Sequence, residues 1–165
     1  MRASPTDRKY IGDDDPNDSA AASPSPFDSL VVSSAPWIFR WLWAAGIYNL
    51  AWGLVTIAYP HLLFDFAGAE RINYPEIWQC VGMIVGVYGI GYIVAAYDSR
   101  RHWPIVFVGL LGKIFGPIGF VGALVKGTFP LAFGVTLLTN DLLWWIPFTL
   151  ILRDAWRASR RTSSE

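Results

Sequence analysis

Residues 103–125 read WPIVFVGLLGKIFGPIGFVGALV, a run of 23 residues in which Lys113 is the one charge. Wound as a helix at about 1.5 Å per residue, this run is long enough for a hydrocarbon core of about 30 Å. A spanning β-strand needs only about ten residues of alternating polarity, and no alternation is present. The run therefore predicts a transmembrane helix. Working outward, three more apolar segments of similar length lie at about 37–59, 76–97 and 131–152. A soluble bundle of wholly buried helices is the competing reading, and length and hydrophobicity both disfavour it. The expected fold is all-α: a polytopic membrane protein with an antiparallel four-transmembrane-helix bundle.

Composition points the same way. The chain has 165 residues, of which 53% are hydrophobic, 16% aromatic and 16% charged. Soluble domains carry about a quarter charged residues. Thirteen basic residues balance thirteen acidic ones, which excludes a general nucleic-acid binder with its basic footprint. A single cysteine excludes a disulfide framework, a CxxC redox centre and an all-cysteine metal site. The length fits one domain.

Residues 1–35 hold six acidic and three basic residues among many Ser, Ala and Pro. Such a stretch buries too little apolar area to offset its ordering entropy, so a disordered acidic tail is expected there. It has no apolar h-region behind a basic start, so it does not read as a secretory signal peptide, and the segment from Trp37 reads as an uncleaved anchor. Residues 36–153 form the expected membrane domain and 154–165 a basic tail. Tyr59-Pro60 ends the first helix, and Asp98 to His102 makes a polar turn before Trp103-Pro104. Gly127 to Pro130 separates the third helix from the fourth. In the loop His61 to Pro75, Leu62, Leu63, Phe64 and Phe66 suggest a short interfacial helix.

Orientation follows from the basic residues at the helix ends. Arg100, Arg101, Arg153, Arg157, Arg160 and Arg161 lie on one side, against Arg71 and Lys126 on the other. The expected location is the bacterial inner membrane with both termini cytoplasmic. Trp37, Trp41, Trp43, Trp103 and Trp156 gather at the cytoplasmic interface, where Arg40 can snorkel, and Trp78 at the opposite one. Gly82-x-x-x-Gly86 and Gly112-x-x-x-Gly116 are patterns that let helix backbones approach closely. Gly116-Pro117 predicts a kink and a freed backbone carbonyl in the third helix.

Polar residues at membrane depth supply the candidate site. Lys113 lies ten residues after Trp103, and Asp141 twelve before Arg153. Both then sit about 15–18 Å below one face, near the midplane. Asn49, Asn140 and Tyr88 reach the same level. A charge stranded there costs at least about 2.5–3.5 kcal/mol, so Lys113 and Asp141 are expected to turn inward and pair directly, with Asn49 and Asn140 in support. Buried pairs can specify one packing, and intramembrane ionisable groups also mark pathways and reaction centres.

A shallower outer-face group comprises Tyr74, Glu76, Gln79 and Cys80. Glu76 suits the dipole at a helix start, and Cys80 without a cationic neighbour reads as a packing residue rather than a nucleophile. His61, Asp65, Glu70 and Glu76 match no metal-ligand spacing, so no metal and no cofactor is predicted.

The runs Asn73 to Cys80, Arg101 to Ile105, Gly112 to Phe120 and Asn140 to Phe148 are similar to a family of small bacterial four-helix integral membrane proteins. The resemblance covers about 37–152. The family has no established activity, although some members carry the label alkyl hydroperoxide reductase. That label names soluble folds with paired or activated thiols, and the one cysteine here does not supply that chemistry. The resemblance strengthens the membrane class and adds little on chemistry, and the expected function is that of a multi-pass inner-membrane protein of unassigned activity. Its expected partners are the lipid bilayer and a small-molecule or lipidic ligand in the buried cluster, with no nucleic acid. A membrane enzyme acting on a lipophilic substrate and an accessory subunit of a membrane complex remain alternatives.

Overall fold

The computed structural model describes residues 33–162. The acidic tail expected at 1–35 therefore lies almost wholly outside the described residues. Helix α1 spans Pro36–Ala58, α2 Leu62–Ala67, α3 Pro75–Tyr97 and α4 Trp103–Val125. A proline occupies one of the first two positions of α1, α3 and α4, where its missing N–H is an orphan in any case. Gly68 closes α2 with φ 64°, a left-handed conformation that only glycine adopts without steric cost.

The fourth span, expected at about 131–152, covers Leu131–Arg160, and its helix type changes along its first twelve residues. It opens with a 3-10 turn, Leu131–Gly134, followed by a single α-turn, α5 (Val135–Leu137). A π-helical turn, Leu138–Leu142, precedes the long helix α6 (Leu143–Thr162). The Leu143 N–H accordingly reaches back five residues to the Leu138 carbonyl. Residues 154–162, expected as a tail, continue α6 as regular helix.

Among the described residues the chain is thus all-α, with four helices long and apolar enough to cross a membrane. Their outward surfaces are apolar too: Leu54, Ile77, Val87, Phe115, Ile118 and Ile146 are exposed. In water so much exposed apolar surface would drive association, whereas lipid tails solvate it.

Helices α1 and α3 pack most closely, and their glycines explain why. Gly46 faces Gly89, and Gly53 faces Gly82 and Gly86, in antiparallel register. A methyl group at Gly53 would stand 2.5 Å from the Gly82 carbonyl oxygen, so the two backbones touch with no room for a side chain. The Gly82 half of the predicted glycine motif does pack within the bundle. The other motif does not: nothing lies within 4 Å of a methyl placed on Gly112, and Gly112 and Gly116 are exposed.

One core gathers Ile38, Leu42, Tyr92, Val106, Trp144, Phe148 and Ile151 from α1, α3, α4 and α6. A second lies under α2, where Phe64 and Phe133 pack with Trp78. Trp78, in the first turn of α3, is half-buried against this aromatic cluster, with its ring 5.4 Å from that of Phe64. The opposite end is fastened by polar contacts. The Ser33 and Ser34 N–H groups donate to the Tyr97 carbonyl, and the Ser99 N–H donates to Ser34 Oγ. Arg100 meets Asp154 at 3.4 Å.

Candidate functional site

Two backbone irregularities face each other between α4 and the fourth span. Pro117 lies inside α4 and has no N–H, so the carbonyl of Lys113, four residues earlier, loses its intrahelical donor. In the fourth span the π-turn shifts the ladder and leaves carbonyls open to side chains. Buried in apolar surroundings, each such carbonyl needs a donor.

The donors are supplied reciprocally. Trp145 Nε1 donates to the Lys113 carbonyl at 3.0 Å. Lys113 Nζ in turn donates to the Asn140 carbonyl. Trp144 Nε1 donates to the Thr139 carbonyl at 2.9 Å, and its ring lies 5.8 Å below the Lys113 ammonium. Asn140 Nδ2 donates to Asp141 Oδ1 at 3.1 Å. From α1, Tyr48 donates its hydroxyl to Thr139 Oγ1 at 2.9 Å, tying a third helix to the π-turn.

Lys113 and Asp141 are both buried, as expected of charges at this depth. They do not form the direct pair that equal depth and opposite sign predict. Among the described residues the ion pairs are Asp65–Arg71 and Arg100–Asp154. Asn140 stands between the two charges instead, offering its backbone carbonyl to the ammonium and its amide to the carboxylate. The physical reason is the π-turn: it presents a carbonyl dipole to Lys113 at close range. Gly116 flanks the carboxylate on the α4 side, where a methyl group would lie 3.2 Å from Asp141 Oδ2.

The other sequence candidates are not brought into this network. Asn49 is buried on α1 between Gly46 and Gly53, and its Oδ1 has no hydrogen-bond partner. No hydrogen bond joins it to Lys113, Asn140 or Asp141. Tyr88 is half-buried, its ring 6.2 Å from that of Tyr92. Conversely, Tyr48, Thr139, Trp144 and Trp145 belong to the network although their sequence context did not mark them. The usable signal was Pro117 four residues after Lys113, which announces a carbonyl in need of a donor.

The outer-face group is dispersed. Tyr74, Glu76 and Cys80 are exposed, while Gln79 turns inward and donates to the Ile57 carbonyl at 2.8 Å. Among the described residues no group of three or more His, Cys, Asp and Glu is placed to hold a metal. Asp65 instead takes two hydrogen bonds from Arg71, at 2.7 and 2.8 Å. These bonds hold the Asp65 carboxyl below its ordinary range and raise the Arg71 guanidinium.

Comparison with known proteins returned no match to any family model, curated protein or solved structure.

Proposed function

We propose that this multi-pass membrane protein binds the polar head of a small or lipidic ligand at Lys113, Asn140 and Asp141. The observation that carries this reading is spare hydrogen-bond capacity in a buried place. An ammonium has three donors, and Lys113 engages one protein acceptor, the Asn140 carbonyl. Asn140 Oδ1 is buried without a partner. Donors and acceptors left over at one level, where hydrocarbon offers neither, suit a hydroxyl, carbonyl or carboxyl group on an otherwise apolar molecule. The exposed, side-chain-free surface at Gly112 and Gly116 leaves an approach from lipid toward the carboxylate.

Single π-turns within helices occur frequently at functional sites, and the one at Leu138–Leu142 carries Asn140 and Asp141, which supports the reading further. The inner membrane with both termini cytoplasmic belongs to the same proposal and rests on the six-against-two distribution of basic residues. Kinship with the small bacterial four-helix family rests on the four sequence runs quoted above. Catalysis on a lipophilic substrate would use the same groups, and a role as accessory subunit would leave them as scaffold.

Native purification followed by mass spectrometry of co-purifying small molecules and lipids tests the proposal. The wild-type chain is expected to retain a molecule that the double variant Lys113→Met, Asp141→Leu releases while remaining folded. Identical contents in the two proteins would end the binding reading. For topology, reporter fusions after residues 68 and 128 should read outside, and a fusion after residue 101 inside.

A further inference from the structure

A different surface feature lies on the outward face of α6. A groove of about 260 Å³ is lined by Trp145, Ile146, Thr149 and Leu150. A groove of about 370 Å³ is lined by Trp37, Leu150, Arg153, Asp154 and Arg157. Leu150 belongs to both, so the two form one strip along a single helix face at i, i+4 spacing. From Ile146 to Arg157 the strip runs about 16 Å along the axis, apolar at one end and cationic at the other.

The cationic end is uncompensated. Arg153 and Arg157 are exposed, one turn apart, and neither has an ion-pair partner among the described residues. The acidic residue of the lining, Asp154, is engaged by Arg100 at 3.4 Å. Like charges at this spacing repel, which leaves a place for an anion between them. Guanidinium groups match phosphate oxygens in a planar, bidentate fashion. Trp37 stands at the junction of the apolar and charged parts, where an indole prefers the headgroup layer.

We propose that this strip binds one anionic phospholipid, its phosphate between Arg153 and Arg157 and an acyl chain along Ile146, Thr149 and Leu150. Charge complementarity selects an anionic headgroup, and continuity with the apolar strip selects a lipid over a free phosphate.

The test is native mass spectrometry of the full chain in detergent, titrated with phosphatidylglycerol, phosphatidylcholine or inorganic phosphate. Phosphatidylglycerol should bind at least roughly tenfold more tightly than phosphatidylcholine, and Arg153→Gln with Arg157→Gln should remove most of that preference. Leu150→Trp, which fills the shared part of the groove, should weaken both lipids. Arg160→Gln removes an equal charge outside the groove, on the Trp156 ring at 5.3 Å, and should leave the preference intact. Equal binding of the two lipids would overturn the proposal. So would an equal loss in Arg160→Gln, which would reveal general surface charge, or displacement of phosphatidylglycerol by inorganic phosphate, which would reveal a soluble-anion site.

Discussion

The Trp145 indole donates to the Lys113 carbonyl at 3.0 Å and supplies the hydrogen bond that Pro117 takes from α4. Proline at this position is therefore compensated from the neighbouring span. Trp145→Phe should lower stability by about 1 kcal/mol, the usual scale for a hydrogen bond inside a membrane protein. In a Pro117→Ala background the same change should cost less, because the residue 117 N–H can then reach Lys113. Unfolding of all four proteins in mixed micelles gives the coupling, and additive effects would disprove it.

Lys113→Met leaves Asp141 as an unneutralised buried charge and the Asn140 carbonyl without its donor. A loss of about 3 kcal/mol is expected. Adding Asp141→Leu should recover much of it, since two apolar residues then meet lipid-like surroundings. Equilibrium unfolding of the two variants checks the order: the double variant must be the more stable.

Gly53→Ala sets a methyl 2.5 Å from the Gly82 carbonyl oxygen and forces α1 from α3. Overpacking of this kind costs about 1–3 kcal/mol. Gly86→Ala and Gly112→Ala place theirs in open space and should stay within about 0.5 kcal/mol of the wild type. Three melting curves decide the matter, and equal losses would contradict the close crossing.

Asp65 and Arg71 give a pH-dependent contact next to α2. With the Asp65 carboxyl held down by Arg71, the contact is fully formed above the ordinary carboxyl value of about 3.9 and is lost as pH falls through the lowered one. Its contribution is therefore unchanged between neutral and mildly acidic pH. Arg71→Gln should return the Asp65 midpoint to the ordinary range, as followed by NMR of the carboxyl carbon.

The four spans were legible because length and hydrophobicity act alone: a run such as 103–125 has no other stable home. The inward turn of the two charges was legible too, and Lys113 and Asp141 are both buried. Their partners were not. Whether Lys113 meets a carboxylate or a carbonyl depends on the helical register at 138–142, where one extra residue per turn redirects each carbonyl. That turn leads into Trp144 and Phe148, which pack in a core drawn from four helices, and no single segment of sequence contains those contacts. Gly112-x-x-x-Gly116 misled for a related reason. Small residues permit close approach, but Gly116 lies beside Asp141 rather than against a helix backbone.

The bond from Lys113 to Asn140 also bears on biogenesis. Helices α1 and α3 pack backbone to backbone at their glycines, with side chains of both in one core, and can settle as a pair once both have left the translocon. Helix α4 carries a lysine whose acceptor is made later in translation, twenty-seven residues downstream. Until the π-turn of the fourth span enters the bilayer, α4, although apolar enough to span by itself, holds its ammonium without that carbonyl acceptor. Completion of the chain therefore gives the lysine its partner in a helix that hydrophobicity alone can carry into the bilayer.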